Sequence, residues 1–435
     1  MQYRITGGRL IDPGHYIGAA DIVVEDPKIA KIVEGGRAIG QNQASNIQHP
    51  DIRIIDASNK IVTPGLIDMH VHLRQPGQEH KETIETGCRA AVWGGFCAVC
   101  CMPNTNPVND SKAVTEHILQ QAAQVALARV YPVAAISKGL AGQTICDFKE
   151  LQQAGGIGVS DDGNPVMDSQ LMRRALQRAK DFNLTVVSHC EDLNLAAAGA
   201  MNEGSVSRKL GYAGIPNASE SVMVMRDIAL SELTGAAVHI AHVSTRESVR
   251  AIRDAKARGV RVTAETAPHY FILTDQAVAD CGTNAKMNPP LRSQRDCEAI
   301  CEGLADGTID AIVTDHAPHS SKEKDVEFGS APNGIIGLET SVSLSLKLVQ
   351  NGVLSFIQLV EKMSTNPARI LGLENGLRVG RPADMTIIDP DLSYTVDAAN
   401  FQSLSRNTPF DGWHLTGKPV LTMVGGRIVY EDGKN

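Results

Sequence analysis

An eightfold repetition of one local pattern constrains the fold of this 435-residue chain more than any other feature. Each repeat is an apolar run that ends in a polar residue and is followed by a stretch with helical periodicity. Continuous apolar runs bounded by glycine are typical of parallel strands that are buried on both faces. The runs are GLIDMHVHL, GFCAVCCMPN, ARVYPVAAIS, GIGVSDDG, NLTVVSHCED, AAVHIAHVS, GVRVTAETAPHY and IDAIVTDHAPH. Eight strand–helix units in succession predict an α/β fold of the (β/α)8 TIM-barrel type.

The repeats place the barrel at residues 63–377, and the two chain ends differ from it. Amphipathic stretches such as DSQLMRRALQRAKDFN separate the runs, and Asp168 or Ser169 is the expected helix N-cap there. Residues 1–62 and 378–435 carry short strand signals, with Gly425-Gly426 as a hairpin turn. Neither end has enough apolar residues for its own core, so we expect the two to pair into one small flanking β domain.

Charge and composition exclude several functional classes. The formal net charge of -8 argues against a nucleic-acid partner, so a small-molecule substrate is expected. The first residues, MQYRITGGRLIDPG, lack an apolar signal core, and no run is long enough to span a membrane, which predicts a cytoplasmic protein. Cys97 and Cys100 form a CxxC within an apolar run, where we expect buried thiols rather than a disulfide framework.

Polar residues stand at the carboxyl ends of the predicted strands, where catalytic groups cluster in such barrels. Strand seven contributes a less clear candidate, His269, and His319 lies just beyond strand eight. The clearer candidates, in chain order, are His70, His72, Asn104, Asp161, Asp162, His189, His242 and Asp315.

His70-Val71-His72 is the strongest single signal in this set. Alternate residues of a strand face the same side, so both imidazoles should point into the barrel mouth. With His189, His242, Asp315 and one strand-four aspartate they supply six ligands, too many for one tetrahedral zinc ion. The pattern therefore predicts two divalent metal ions per chain, with zinc as the expected metal and one bridging carboxylate.

Strand four decides how the two metals are bridged. Asp161 and Asp162 are adjacent and point opposite ways in a strand, so only one can bridge, and the residues alone leave both possible. No lysine stands in GIGVSDDG, so a carbamylated lysine is not available there, and Lys138 is expected in an exposed loop.

Other polar residues at the strand ends suggest substrate contacts. Arg74 follows the histidine pair and can fork onto a substrate carboxylate. Asp315, as a metal ligand, can also carry a proton from the attacking water, whereas His316 alternates away and is expected to be structural. Asn104, Asn288 and His319 are either substrate contacts or turn-formers.

Several motifs resemble those of one enzyme family. Asp68 to Gly77 resembles the HxHxRxPG motif of dihydroorotases, and Asp315 to His319 resembles their DHAPH motif. MPNT, SDDG, MNPPLR and the APxGIxGLET stretch from Ala331 to Thr340 match as well. The resemblance covers nearly the whole chain and is to the class I bacterial type within the amidohydrolase superfamily.

This resemblance implies a metal-dependent, reversible cyclisation of N-carbamoyl-L-aspartate to L-dihydroorotate in pyrimidine biosynthesis. It implies Asp162 as the bridging ligand beside His70, His72, His189, His242 and Asp315. It implies substrate contacts from His72, Arg74, Asn104, Asn288, His319, Asn333 and Gly334. Relatives often carry an aromatic residue where Asn333 stands, so we expect a backbone contact there. A homodimer and a complex with aspartate transcarbamoylase are the expected assemblies.

The sequence leaves two alternative functions open, and one of its loops is expected to act as a lid. One alternative is another cyclic amidohydrolase, a dihydropyrimidinase, hydantoinase or allantoinase; these resemble one another in carrying a bridging lysine. The other is a non-catalytic scaffold for aspartate transcarbamoylase, which is expected to have lost metal ligands. Residues 320–334 are polar, charged and long for a βα connection, which predicts a lid that closes over the substrate.

Overall fold

A computed structural model describes residues 2–34 and 52–434 of the chain. Residues 35–51, which fall inside the predicted 1–62 segment, lie outside the described residues. The strands are β1 (Gln2–Thr6), β2 (Arg9–Asp12), β3 (Tyr16–Glu25), β4 (Lys28–Glu34), β5 (Ile52–Asp56), β6 (Ile61–Pro64), β7 (Leu66–Val71), β8 (Phe96–Cys101), β9 (Arg129–Ala135), β10 (Gly158–Ser160), β11 (Thr185–Ser188), β12 (Met201–Asn202), β13 (Gly214–Ile215), β14 (Val238–Ile240), β15 (Val262–Thr266), β16 (Ala311–Ile312), β17 (Met385–Thr395), β18 (His414–Val424) and β19 (Arg427–Glu431).

Eight of these strands form a parallel barrel, which confirms the predicted fold class. Their order is β7-β8-β9-β10-β11-β14-β15-β16, and each contains part of one predicted apolar run. Val71 and His316 form a parallel bridge beyond β16, and His72 N donates to His316 O over 2.8 Å. The first and last repeats therefore meet, and all eight carboxyl ends lie at one mouth.

Helices surround the barrel and cover its outer face. Asp168 is the N-cap of α4 and accepts hydrogen bonds from the N–H groups of Gln170 and Leu171. Of the two residues predicted for this position, Asp168 and Ser169, the first is therefore the cap. The helices are α1 (Ile84–Trp93), α2 (Lys112–Val125), α3 (Phe148–Gln153), α4 (Ser169–Asp181), α5 (Leu193–Ala196), α6 (Ser205–Leu210), α7 (Asn217–Thr234), α8 (Arg246–Ala257), α9 (Pro268–Ile272), α10 (Ala277–Cys281), α11 (Gln294–Ala305), α12 (Ser321–Lys324), α13 (Ser341–Gln350), α14 (Phe356–Val360) and α15 (Asn366–Leu371). No helix within residues 2–34 and 52–434 is long and apolar enough to cross a membrane.

Apolar side chains fill both faces of the barrel strands. Ile67, Met69 and Val133 belong to a cluster inside the barrel, whereas Val71 and Val99 pack outward with the helices. Every residue of β8 is buried, including Cys97 and Cys100, and the cysteines are free thiols as expected. Because both faces are covered, these strands have no polar face, which explains their continuous apolar runs.

The two chain ends meet in one nine-stranded mixed sheet beside the barrel. β6 pairs antiparallel with β17 and parallel with β2, so N-terminal and C-terminal strands share one ladder. Gly425 and Gly426 form the turn between β18 and β19. We propose residues 1–62 and 378–435 as one composite domain and 63–377 as the barrel, with β6 running across the junction between them.

Candidate metal centre at the barrel mouth

Six buried side chains with metal-binding groups converge at the carboxyl ends of the barrel strands. His70 lies within β7, and the other five stand one to three residues beyond the ends of β7, β10, β11, β14 and β16. They are His70, His72, Asp162, His189, His242 and Asp315. The sequence had placed all six at strand ends, and the closed barrel brings them together.

The ligand atoms form two groups that share Asp162. His70, His72 and Asp162 make one group, and Asp162, His189 and His242 make the other, with the ligand atoms of each group within 4.8 Å of one another. Asp162 Oδ2 lies 3.5 Å from His72 Nε2. Asp162 Oδ1 lies 3.3 Å from His70 Nε2 and 3.5 Å from His242 Nε2. One carboxylate thus faces both groups, as a bridging ligand must.

The chemistry of these atoms fits divalent metal ions. His70 Nε2 and Asp162 Oδ1 are buried, face each other and have no hydrogen-bond partner. Leaving such atoms without a partner is costly, and a cation between them removes that cost. Burial by itself raises the pKa of Asp162, but the nearby imidazoles of His70, His189 and His242 hold it well below its usual value. Ionised carboxylate and imidazole are suitable ligands for zinc.

The two strand-four aspartates have different environments. The Asp161 carboxylate points away from the histidines and accepts hydrogen bonds from Ser137 N, over 2.9 Å, and from the Ser137 hydroxyl. Burial raises the pKa of Asp161 to about 6 despite these bonds. The alternation of side chains along the strand puts Asp162 inside the cluster and Asp161 outside it.

A buried glutamate that the sequence analysis missed orients the first histidine. Glu265 Oε1 lies 2.7 Å from His70 Nδ1, and its Oε2 lies 3.0 Å from His239 Nε2. Burial raises the pKa of Glu265, but the bonds to His239 and His70 lower it to about 2, so it is ionised. A carboxylate on Nδ1 leaves Nε2 free to bind metal. Glu265 is a charged residue inside the apolar run of β15, and this departure from the pattern could have identified it from the sequence.

The two predicted asparagines also contact the candidate metal-ligating histidines or their partners. Asn104 Oδ1 lies 2.8 Å from His72 Nδ1, so His72 can direct its Nε2 toward the cluster. Asn288 Nδ2 donates to Glu191 Oε2 over 2.9 Å, and the same oxygen lies 3.3 Å from His189 Nε2. Glu191, next but one to His189, is a second residue that the sequence analysis missed. Both asparagines therefore lie at the mouth, held by specific contacts.

A second set of predicted residues lines the mouth beside Asp315. Arg74 is buried; its Nε donates to Pro318 O over 3.1 Å, and its Nη2 lies 3.3 Å from His319 Nε2. His319 Nε2 lies 2.8 Å from Asn333 O, and its buried Nδ1 has no partner. Burial and the nearby Arg74 lower the pKa of His319 to about 2, so this ring is neutral.

Asn333 and Gly334 reach this set through the backbone, while the Asn333 residue itself is exposed. Gly334 has a φ of +126°, and a Cβ built there would lie 2.5 Å from Ala317 Cβ. Only glycine fits this position without displacing its neighbours. His316 turns away from the cluster, with its Nε2 3.2 Å from Glu82 Oε2.

The predicted lid segment contains short helical turns and is bonded to buried lysines. Residues 320–334 contain α12 and a 3-10 turn at Phe328–Ser330. Lys324 Nζ donates to Pro332 O over 2.9 Å, and Lys286 Nζ donates to Ala331 O over 2.6 Å. Both lysines are buried, so they fix the base of the segment. Closure over a substrate stays a prediction.

His269, the less clear candidate after strand seven, lies at the start of α9. It is buried, and burial lowers its pKa to about 4.

Comparisons with known proteins point to one enzyme family. The sequence profile of the family described as "Dihydro-orotase-like" matches residues 59–248. A dihydroorotase of Desulforapulum autotrophicum is 56% identical over 99% of both chains. A dihydroorotase of Syntrophus aciditrophicus is 53% identical over 99% of this chain and 100% of its own. Among solved structures, the L-hydantoinase (dihydropyrimidinase) of Arthrobacter aurescens superposes with a TM-score of 0.87 at 29% identity, over 99% of this chain and 96% of its own.

The shared position of Asp162 leads to a prediction about metal binding. Asp162→Ala removes an oxygen from both ligand groups, so we expect zinc affinity to fall by at least about tenfold. Asp161→Ala removes a buried carboxylate of the same strand that faces neither group, and is the matched control. Equilibrium dialysis with zinc, followed by elemental analysis, measures both. A greater loss in Asp161→Ala than in Asp162→Ala would contradict the assignment.

Proposed function

Because this chain belongs to the dihydroorotase family, we infer that its barrel mouth interconverts N-carbamoyl-L-aspartate and L-dihydroorotate, a step of pyrimidine biosynthesis. It is a cyclic amidohydrolase, acting on a cyclic amide C–N bond. Buried Arg74 beside the metal-ligand cluster is the observation that carries the substrate assignment. Dihydroorotate carries a carboxylate that the rings of dihydrouracil and hydantoin lack, and a buried guanidinium is suited to bind it.

The site favours this function over the two alternatives. The likeness to a hydantoinase extends to the fold and the reaction class, but Asp162 faces both ligand groups where the hydantoinase-type pattern expects a lysine. Lys138, the lysine after β9, is exposed and donates to Asp110 O. A non-catalytic scaffold is expected to have lost ligands, whereas all six are present and convergent here.

We propose that two divalent metal ions, most simply zinc, occupy the two groups. His70, His72, Asp162 and Asp315 would surround one ion, and Asp162, His189 and His242 the other. When bound, the ions would supply an activated water and positive charge that polarises the ring carbonyl. The net charge of the protein is negative, so this charge and Arg74 would attract an anionic substrate locally.

Asp315 is the proposed proton carrier. Its Oδ1 lies 3.2 Å from His72 Nε2 and 3.6 Å from His70 Nε2, beside the first ligand group. In hydrolysis it takes a proton from the attacking water as oxygen bonds to the ring amide carbon. It then gives that proton to the ring nitrogen as the C–N bond breaks. The reverse sequence closes the ring and releases water.

The remaining residues would hold the substrate. Arg74 would fork onto the carboxylate, because Pro318 O already fixes its Nε side. His319 Nδ1, buried and without a partner, would accept a ring N–H. His72, Asn104 and Asn288 would contribute further polar contacts, and the backbone at Asn333 and Gly334 would complete the pocket.

We propose a cytoplasmic homodimer that can also bind aspartate transcarbamoylase. Exposed apolar side chains on neighbouring helices support an interface: Leu193 and Leu195 on α5, and Val222 and Met225 on α7. Large exposed apolar side chains in one region are typical of protein–protein contacts. Light scattering with and without the transcarbamoylase tests both assemblies, and a monomer in each mixture would contradict them.

The direct test of function is a substrate comparison. We expect the zinc-loaded protein to hydrolyse L-dihydroorotate and to leave dihydrouracil and hydantoin essentially unchanged, since only the first has a carboxylate for Arg74. Ring opening is followed by ultraviolet absorbance, and the reverse reaction starts from N-carbamoyl-L-aspartate. Preference for the uncharged rings would overturn the proposal in favour of a hydantoinase-type enzyme.

A second prediction concerns Asp315. Asp315→Asn keeps the shape of the side chain but cannot take up the proton, so kcat should fall by roughly 10²-fold or more. Zinc content, measured on the same sample, should fall less than activity. Turnover close to that of the unmodified protein at any pH would exclude the proton-carrying role.

Arg74 generates a third prediction. Arg74→Lys keeps the positive charge but loses the two-pronged contact, which is worth about 1.5–3 kcal/mol when desolvated. We therefore expect kcat/KM to fall by about tenfold or more, since 1.4 kcal/mol corresponds to a factor of ten. Steady-state kinetics with L-dihydroorotate measure it. Full activity with lysine would mean that Arg74 acts only through its charge.

A further inference from the structure

A buried asparagine outside the predicted barrel range contacts the loop that follows the last barrel strand. Asn407 lies in the connection between β17 and β18 and is only 4% exposed. Its Oδ1 accepts a hydrogen bond from His319 N over 3.1 Å. Its Nδ2 donates to Ala317 O and to Gly334 O, each over 3.0 Å. Its main-chain oxygen accepts from Ile336 N over 3.0 Å.

These four bonds join the two ends of one loop. Ala317 and His319 begin the loop, and Gly334 and Ile336 end it, so Asn407 spans a gap of many residues in sequence. The loop ends also contact each other, because Ala317 N donates to Ile335 O over 2.8 Å. Asn407 adds the bonds that fix His319 and Gly334 in particular, which are two of the proposed substrate contacts.

The rest of the C-terminal connection is attached to the barrel in the same region. Leu404 N donates to Glu82 Oε1 over 3.0 Å, and the Ser403 hydroxyl donates to Glu82 Oε2. Ser405 Oγ donates to Lys81 O over 2.7 Å. Asn407 therefore extends from a firmly attached segment, and its side chain has little freedom to move away from the loop.

We propose that Asn407 is a positioning residue for the reaction, acting through His319 and Gly334. This rests on the proposed substrate contacts of those two residues. An asparagine amide can make all three side-chain bonds, because its oxygen accepts from His319 N–H and its NH2 group donates to the carbonyl oxygens of Ala317 and Gly334. An ionised aspartate has nearly the same shape, but would place an oxygen against two carbonyl oxygens. The position thus requires the amide and not merely a side chain of that size.

The test compares Asn407→Asp with a matched control, Asn375→Asp. Asn375 also makes three side-chain hydrogen bonds, at the opposite end of the barrel: its Nδ2 donates to Gly65 O and Ser364 Oγ, and its Oδ1 accepts from the adjacent Gly376 N. We expect Asn407→Asp to raise KM for L-dihydroorotate by roughly tenfold, the scale of one or two lost hydrogen bonds, with unchanged zinc content. Asn375→Asp should leave KM within about twofold. Equal KM values for the two variants would overturn the proposal.

A double-mutant cycle separates positioning from a general loss of stability. If Asn407 acts through His319, the effect of Asn407→Asp on KM should be smaller when His319 is already alanine. Fully additive effects would contradict that route. Asn407→Ser keeps one donor and one acceptor and should give an intermediate KM. This variant replaces Asn407→Asp in the comparison if the aspartate variant folds poorly.

Hydrogen exchange provides a readout that does not depend on catalysis. In Asn407→Asp, repulsion between the carboxylate and the carbonyl oxygens of Ala317 and Gly334 should push residue 407 away from the loop. The amides of His319 and Ile336 should therefore exchange faster than in the unmodified protein without substrate, while Asn375→Asp leaves them unchanged. Unchanged exchange at both amides would overturn the proposal even if KM rises. Failure of the unmodified protein to turn over L-dihydroorotate would instead contradict the proposed function, and the exchange result would still report whether Asn407 holds the loop.

Discussion

Closure of the barrel between its first and last strands is the contact on which the site depends. Asp68, fully buried in β7, accepts hydrogen bonds from Thr314 Oγ1 over 2.6 Å and from Thr314 N over 3.2 Å. Beside it, His72 N donates to His316 O. These bonds tie the segment with His70 and His72 to the segment with Asp315. Without that closure, candidate ligands separated by more than 240 residues in sequence would not share one cluster.

The mouth concentrates features that are unfavourable to folding. Arg74, His242 and Asp315 have positive φ angles of 60°, 33° and 48°, a conformation that costs about 1–3 kcal/mol for such residues. Buried carboxylates and imidazoles lie among them with unpartnered atoms. The apolar layers inside and outside the strands offset these costs, since each fully buried large side chain contributes about 1.5–3 kcal/mol. A site of this kind therefore requires a large, well-packed scaffold. Bound metal ions would offset part of the free-energy cost of burying these unpartnered atoms.

The local sequence pattern was sufficient to predict the architecture and most of the residues of the candidate site. Strand periodicity, glycine boundaries and amphipathic intervals predicted eight barrel strands, because burial on both faces leaves a continuous apolar run. The same rule placed His70, His72, His189, His242 and Asp315 at strand ends, since polar residues are tolerated where a strand leaves the core. The residues that escaped were two glutamates in contact with the histidines: Glu265, which is buried, orients His70, and Glu191, which is partly buried, contacts His189. Glu265 and His70 lie on different strands, so no local pattern joins them.

The sequence by itself determined the barrel, its eight strand ends and the residue types that meet there, because these follow from local hydrophobic patterning and from motif spacing. Only the tertiary structure decided which atoms face one another. The residues alone left Asp161 and Asp162 both possible as the bridge, and the structure directs Asp162 toward the histidines and Asp161 toward Ser137. The approach of Asn407 to His319 and Gly334 depended on how the C-terminal connection packs over the mouth. Such contacts join distant parts of the chain, so no local pattern encodes them.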